Sequence, residues 1–186
     1  MLSRRKPAAL ALALVIGLGA CDAGSSREEY ARQLSACSLA ESNGLLDAAV
    51  QACGAALAIA EKKRYATDAV AALLLRVGRL ERQRGNFVQA EVLLLRSLAL
   101  SEAADEPRAE VAVLLELAPV LAGQDRWLDG VQMLERAMPL LAGFNGEGRR
   151  SAADVFRAFG VRLALLGHDE QAERCTAAAR ELAATP

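Results

Sequence analysis

The chain reads as an all-α protein, an α-solenoid of four helix-turn-helix repeats. Three observations predict this. Apolar residues recur at intervals of three and four along most of the chain. A pair of small or turn-forming residues five positions apart returns four times at a near-constant interval. Ala and Leu dominate a composition that is 53% hydrophobic but only 4% aromatic, which suits helices packed closely on one another.

Residues 71–102 show the unit most plainly. Leu74, Val77, Leu80 and Glu81 fall on a first helix. Gly85 ends it, because the residue past a helix C-terminus often needs φ > 0. Asn86 and Phe87 make the turn, and a second helix runs from about Val88 to Ala99. Gly78 and Ala90 are small where antiparallel helices must pass closely, and Leu94 fills the space beyond. The spacing of Gly78, Gly85, Phe87, Ala90, Leu94 and Ser97 resembles the tetratricopeptide repeat.

The same spacing recurs. The pairs are Gly44 and Ala49, Gly85 and Ala90, Asp125 and Gly130, and Gly167 and Ala172. Seven positions before each pair stands a small residue: Cys37, Gly78, Ala118 or Gly160. The turn residue is Leu46, Phe87 and Trp127, and the pattern fails at Asp169. The steps are 41, 40 and 42 residues, longer than the tetratricopeptide period of about 34. The chain is in this respect similar to the extended repeats of kinesin light chains, from about Tyr30 to its end.

In chain order, the first 20 residues read as a targeting segment. Arg4, Arg5 and Lys6 form a positive start, and Ala8 to Ala20 an apolar run too short to span a bilayer. Leu18-Gly19-Ala20-Cys21 resembles a bacterial lipobox, which implies cleavage before Cys21 and lipidation of its thiol, enough for stable membrane anchoring. Asp22 resembles an inner-membrane retention signal, and which membrane holds the anchor is left open. Residues 21–26 are the lipidated cysteine and a tether. The domain then covers 27–186, with repeats at about 27–63, 67–103, 107–143 and 151–186.

Several helix signals follow. Ser26 to Glu29 reads as a capping box, as does Ser151 with Asp154. Asp68 is a candidate cap, and Pro107 suits a first helical turn. Pro119 and Pro139 fall within predicted helices and predict kinks. With Asp125 and Gly130 standing in for Gly and Ala, repeat three reads either as a bend in the array or as tolerated drift. Residues 143–150 read as a polar linker. Cys37 and Cys53 sit at matching heights on antiparallel helices, so they read equally as a disulfide in an exported domain or as two small buried residues. Cys175 reads as buried. The last helix, with Cys175, Ala178 and Leu182 and no polar cap after it, suggests self-association through that end.

Chemistry is sparse. The net charge is −1, and without Arg4, Arg5 and Lys6 there remain 19 basic against 23 acidic residues, so no footprint for nucleic acid exists. His168 is the sole histidine, placed in a turn. No paired metal-ligand spacing, phosphate loop or nucleophile motif is present, so no catalytic residue, metal or cofactor is expected.

The resemblance supplies the candidate site. In that family the first helix of each repeat lines a groove. Carried over by position, the lining is Leu34, Ser38 and Glu41; Leu75, Arg79 and Arg82; Leu115, Pro119 and Ala122; then Arg157, Val161 and Ala164. The expectation is an apolar floor of Leu34, Leu75 and Leu115 with Arg79, Arg82 and Arg157 around it. That surface suits an extended or helical protein segment with apolar anchors and carboxylates. The Lys and Asn of the chaperone-tail carboxylate clamp are missing from these positions. Two readings result. One is a lipid-anchored scaffold or assembly factor of an envelope complex, serving a pilus secretin, outer-membrane assembly or cell-wall machinery on the periplasmic side. The other is a peptide-recognition or regulatory adaptor.

Overall fold

A computed structural model describes residues 18–184, with side chains from residue 24 onward. Residues 1–17 of the leader and the Cys21 thiol lie outside the described residues. Eight α-helices follow one another: α1 Leu18–Ser42, α2 Leu46–Lys62, α3 Thr67–Gln83, α4 Phe87–Ala103, α5 Pro107–Ala122, α6 Trp127–Ala137, α7 Gly146–Leu165 and α8 Asp169–Ala184. A short 3-10 helix, Pro139–Gly143, sits between α6 and α7. No strand occurs among the described residues. Each helix packs antiparallel on the next, so the fold is the expected solenoid of four hairpins.

Six of the seven joints are built alike. After α1, the Leu45 N–H donates to the Ala40 carbonyl and the Gly44 N–H to that of Glu41. This double closure recurs after α2, α3, α4, α5 and α7, and it satisfies carbonyls that a helix end leaves orphaned. It needs one residue at positive φ. Gly85 supplies it at +81°, while Arg64, Asp105 and Asp125 accept it without being glycine, at 52°, 52° and 60°. Between α6 and α7 the joint is different. Pro139 has no N–H to give the Glu135 carbonyl, so α6 stops at Ala137 and the chain tightens into the 3-10 helix. Pro139 thus ends its helix, where a kink was expected. Pro119 lies within α5, which continues to Ala122.

The expected caps are corrected at three places. α1 begins at Leu18 and runs unbroken, so 23–26 is helix and not a tether, and Ser26 lies mid-helix. Only Gly19 and Gly24 oppose helix in that stretch, at about 1 kcal/mol each, and no Pro interrupts it. Glu29 instead takes hydrogen bonds from Gln33 and Arg32, which hold its carboxyl below the usual range. α7 starts at Gly146, which shortens the expected linker. Asn145 caps it, its side chain accepting the Gly148 N–H at 3.0 Å, and Ser151 lies inside the helix. Ala66 precedes α3, so Asp68 falls within its first turn.

The close-approach column works as a set of fitted pairs. A Cβ on Gly78 would lie 2.8 Å from Leu94 Cγ, so only Gly lets α3 and α4 meet there. The same position in the first hairpin holds Cys37, which is joined to Cys53 in a disulfide with Cα atoms 5.1 Å apart. Gly130 explains itself here. A side chain would strike the Phe159 ring at 2.7 Å and the Ala118 carbonyl at 2.9 Å, so the departure from Ala makes room for the next repeat.

Two core clusters result. One joins α1 to α3 with Leu93 of α4, and the other joins α4 to α8 around Leu114, Leu117, Leu134 and Phe156. α4 therefore contributes to both. α3 touches α5 directly, whereas no two even-numbered helices approach comparably. The even helices form the other, outer layer, tied to one another by the pairs Arg96–Glu61, Arg136–Glu102 and Arg174–Glu135.

Candidate functional site

The residues expected to line a groove lie on the odd helices, although Ala122 among them is buried. Counting from the close-approach residue, one column reads Ser38, Arg79, Pro119 and Val161. A second reads Glu41, Arg82, Ala122 and Ala164, and a third reads Ser35, Arg76, Glu116 and Ala158. The columns pass from polar, through charged, to apolar.

The charged residues are tied across repeats. Arg76 on α3 reaches back to α1, with Nε 2.9 Å from Glu41 Oε2 and Nη2 2.9 Å from Ser38 Oγ. Arg79 and Arg82 reach forward to α5 and converge on one carboxylate. Arg79 Nε is 2.8 Å from Glu116 Oε1, and Arg82 Nε is 3.0 Å from Glu116 Oε2. Three guanidinium groups therefore meet two carboxylates, and one positive charge is left uncompensated at mid-groove. Arg79 is the more open of the converging pair, with 45% of its side chain exposed against 29% for Arg82.

Leu34, Leu75 and Leu115 are half-buried and pack against the two cores. They form a floor with limited reach to a ligand. Arg157 is apart from the other arginines. It pairs with Asp154 one turn away on its own helix, and both are largely exposed. The ladder of inter-repeat pairs thus stops before α7. Its groove-side residues Ala158, Val161, Ala164 and Leu165 are exposed, Val161 by 60% and Leu165 by 74%. Glu116 and Arg76 were missed in the sequence, although the third column holds both.

The other candidates resolve as follows. Ligand atoms of Cys37, Glu41 and Cys53 lie within 4.8 Å of one another. Both sulfurs are committed to each other and the carboxylate to Arg76, so this trio presents no open ligand set. Cys175 is buried against α7, and burial pushes its thiol up to about 11, so it is no nucleophile at neutral pH. His168 is half-buried in the turn before α8, in a shallow cleft with Trp127 and Arg162. The Arg162 guanidinium lies 5.8 Å from the Trp127 ring centre, and Trp127 packs on Phe159 at 5.3 Å. Trp127 is thereby a packing residue of the last joint. In α8, Cys175, Ala179 and Leu182 turn inward, Ala178 leans on the core, and the exposed face carries Glu170, Glu173, Arg174, Arg180 and Glu181. The apolar end face expected of the last helix is not there. No helix among the described residues is long and apolar enough to cross a membrane.

No family model matches the chain, and no curated protein is similar to it in sequence. Its likeness is to solved helical-repeat structures. A kinesin light chain protein of Podosopora anserina, built of nearly identical TPR-like repeats, matches with a TM-score of 0.65 and 19% identity, over 88% of this chain and 81% of that one. A variant of the same protein gives 0.66 and 20%, over 88% and 80%. BtubC (BKLC) from P. vanneervenii gives 0.65 and 20%, over 78% of this chain, which in turn spans 59% of that one. The fold is therefore a tetratricopeptide-like solenoid of the kinesin light chain kind.

Proposed function

We propose that the chain is a membrane-anchored interaction scaffold. Cys21 carries the lipid, and the odd-helix groove holds a protein component of an envelope complex such as a pilus secretin, outer-membrane assembly or cell-wall machinery. The reading of the groove rests on one observation above all, the surplus of positive charge at Arg79 and Arg82 on α3, with the exposed apolar residues of α7 further along the odd helices, beyond α5. A segment with a carboxylate at one end and apolar side chains at the other is complementary to both. The anchor rests on the lipobox-like Leu18 to Cys21. The groove carboxylates Glu41 and Glu116 both accept from arginines, and no arrangement beside them supports catalysis.

The test is affinity capture from detergent-solubilised membranes, wild type against Arg79→Glu/Arg82→Glu. A partner lost only in the double variant places recognition in the groove. A partner equally retained sinks the groove reading. Radiolabelled palmitate should enter the wild type and not Cys21→Ser. The half-charged, half-apolar groove also fits a free peptide, which favours an adaptor as the second reading. Weak binding displaced by short acidic-apolar peptides, without a stoichiometric complex, would select it.

A further inference from the structure

The outer layer has one anomaly. On α4, Val88 is 70% exposed, Val92 50% and Leu95 47%, and Ala99 is exposed as well. Their spacings are four, three and four, so they form a single stripe along the helix. The repeat does not require it. At the same positions α2 carries Asp47, Gln51, Gly54 and Ala58, and α8 carries Glu170, Arg174, Ala177 and Glu181. In the third repeat the positions hold Leu128, Gln132, Glu135 and Pro139. Among the even helices, α4 alone turns an apolar seam to solvent.

We propose that this seam is where a second copy of the chain docks, α4 against α4 in parallel about a two-fold axis. Three features select that occupant. The stripe is a coiled-coil register, with Val88 and Leu95 at d and Val92 and Ala99 at a. The central pair, Val92 at a and Leu95 at d, is the combination that favours two parallel strands. The flanks are complementary. Glu91 falls at g and Arg96 at e, the pair that meets across a parallel seam, five residues on. Antiparallel packing sets g against g and e against e and forgoes that contact. Both flanks are already polar. Arg96 is half-exposed beside Glu61, and Glu91 accepts Arg126 and Gln124, so docking buries a dry stripe between charged rims. The contact is self-complementary, as a closed two-fold pair must be. A seam of one short helix buries less than about 1,200 Å² in total, the range of reversible association. The dimer leaves the groove free on the opposite face of each copy.

Sedimentation velocity of the full chain in density-matched detergent should show concentration-dependent dimers. Val92→Lys/Leu95→Lys should weaken them at least about a hundredfold, because each copy would bury a charge, with helicity by circular dichroism unchanged. Arg79→Glu/Arg82→Glu should leave them intact. Orientation is read by oxidative cross-linking against a wild-type control. Leu95→Cys alone should cross-link to its own copy, since a parallel pair sets each residue against itself. A chain that stays monomeric at every concentration, or a dimer that survives the lysine variant, overturns the proposal. So does cross-linking that occurs only when Val92→Cys and Leu95→Cys proteins are mixed, the antiparallel result.

Discussion

The first three repeats and the last one are held on by different means. Among α1, α3 and α5, arginines and glutamates reach from one repeat to the next, Arg76 to Glu41 and Arg79 with Arg82 to Glu116. The backbone makes the same turn at each joint from α1 to α6. At the step to α7 both devices lapse. The joint is a 3-10 helix, and the attachment is made by aromatic packing of Trp127, Gly130 and Phe159. On the outer layer a charge pair continues, Arg174 with Glu135. A repeat can therefore be joined by periodic polar straps or by one local hydrophobic plug, and Arg157 of α7 pairs within its own helix, with Asp154.

The comparison can be broken at its strongest point. Phe159→Ala removes the plug and should cost about 3–5 kcal/mol in urea unfolding. A broadened or biphasic transition would show the last hairpin parting from the others. The first hairpin has its own staple, since Cys37 and Cys53 close a loop with a sequence separation of 16. Reduction, or Cys37→Ser/Cys53→Ser, should lower stability by about 3 kcal/mol. Equal stability with and without reductant would deny the staple any role.

The lone cysteine sharpens the contrast. Burial raises the Cys175 thiol from 9.0 to about 11 in the folded chain. The unfolded chain ionises first, so the term is constant below about pH 9 and folding weakens as pH rises from there to about 11. Unfolding midpoints of wild type and Cys175→Ala should run parallel below pH 9 and diverge above it. The smallest effect belongs to the straps. Glu116→Gln should cost no more than about 1 kcal/mol, because partly exposed pairs are worth little, and the loss should shrink in high salt. A loss several times larger would mean the polar ladder, and not the core, holds repeats two and three together.

Much of this was legible in the chain. Gly78 against Leu94 and the turn glycines follow from helix packing and from positive φ, which are local demands on residue type. The facing of Cys37 and Cys53 could be read because both lie a fixed distance from one turn. The extent of α1 was not legible, since Ser26 and Glu29 satisfy a capping pattern whether or not the helix has already begun. Ser151 misled for the same reason, with Asn145 six residues earlier. The convergence of Arg79 and Arg82 on Glu116 was obscured because a charge seen singly looks solvated. Setting the repeats in register would have shown Arg76 and Glu116 in one column.

The six matching joints have a further consequence for how such a chain lengthens. The turn at Arg64 and the turn at Asp105 close in the same way. A duplicated unit of about forty residues spliced before Pro107 would meet a familiar neighbour on either side, since repeats contact only those adjacent to them. The proline-bounded joint offers no such seat. Gene duplication can extend this array between its like joints, whereas the hairpin of α7 and α8 sits behind a joint of another kind.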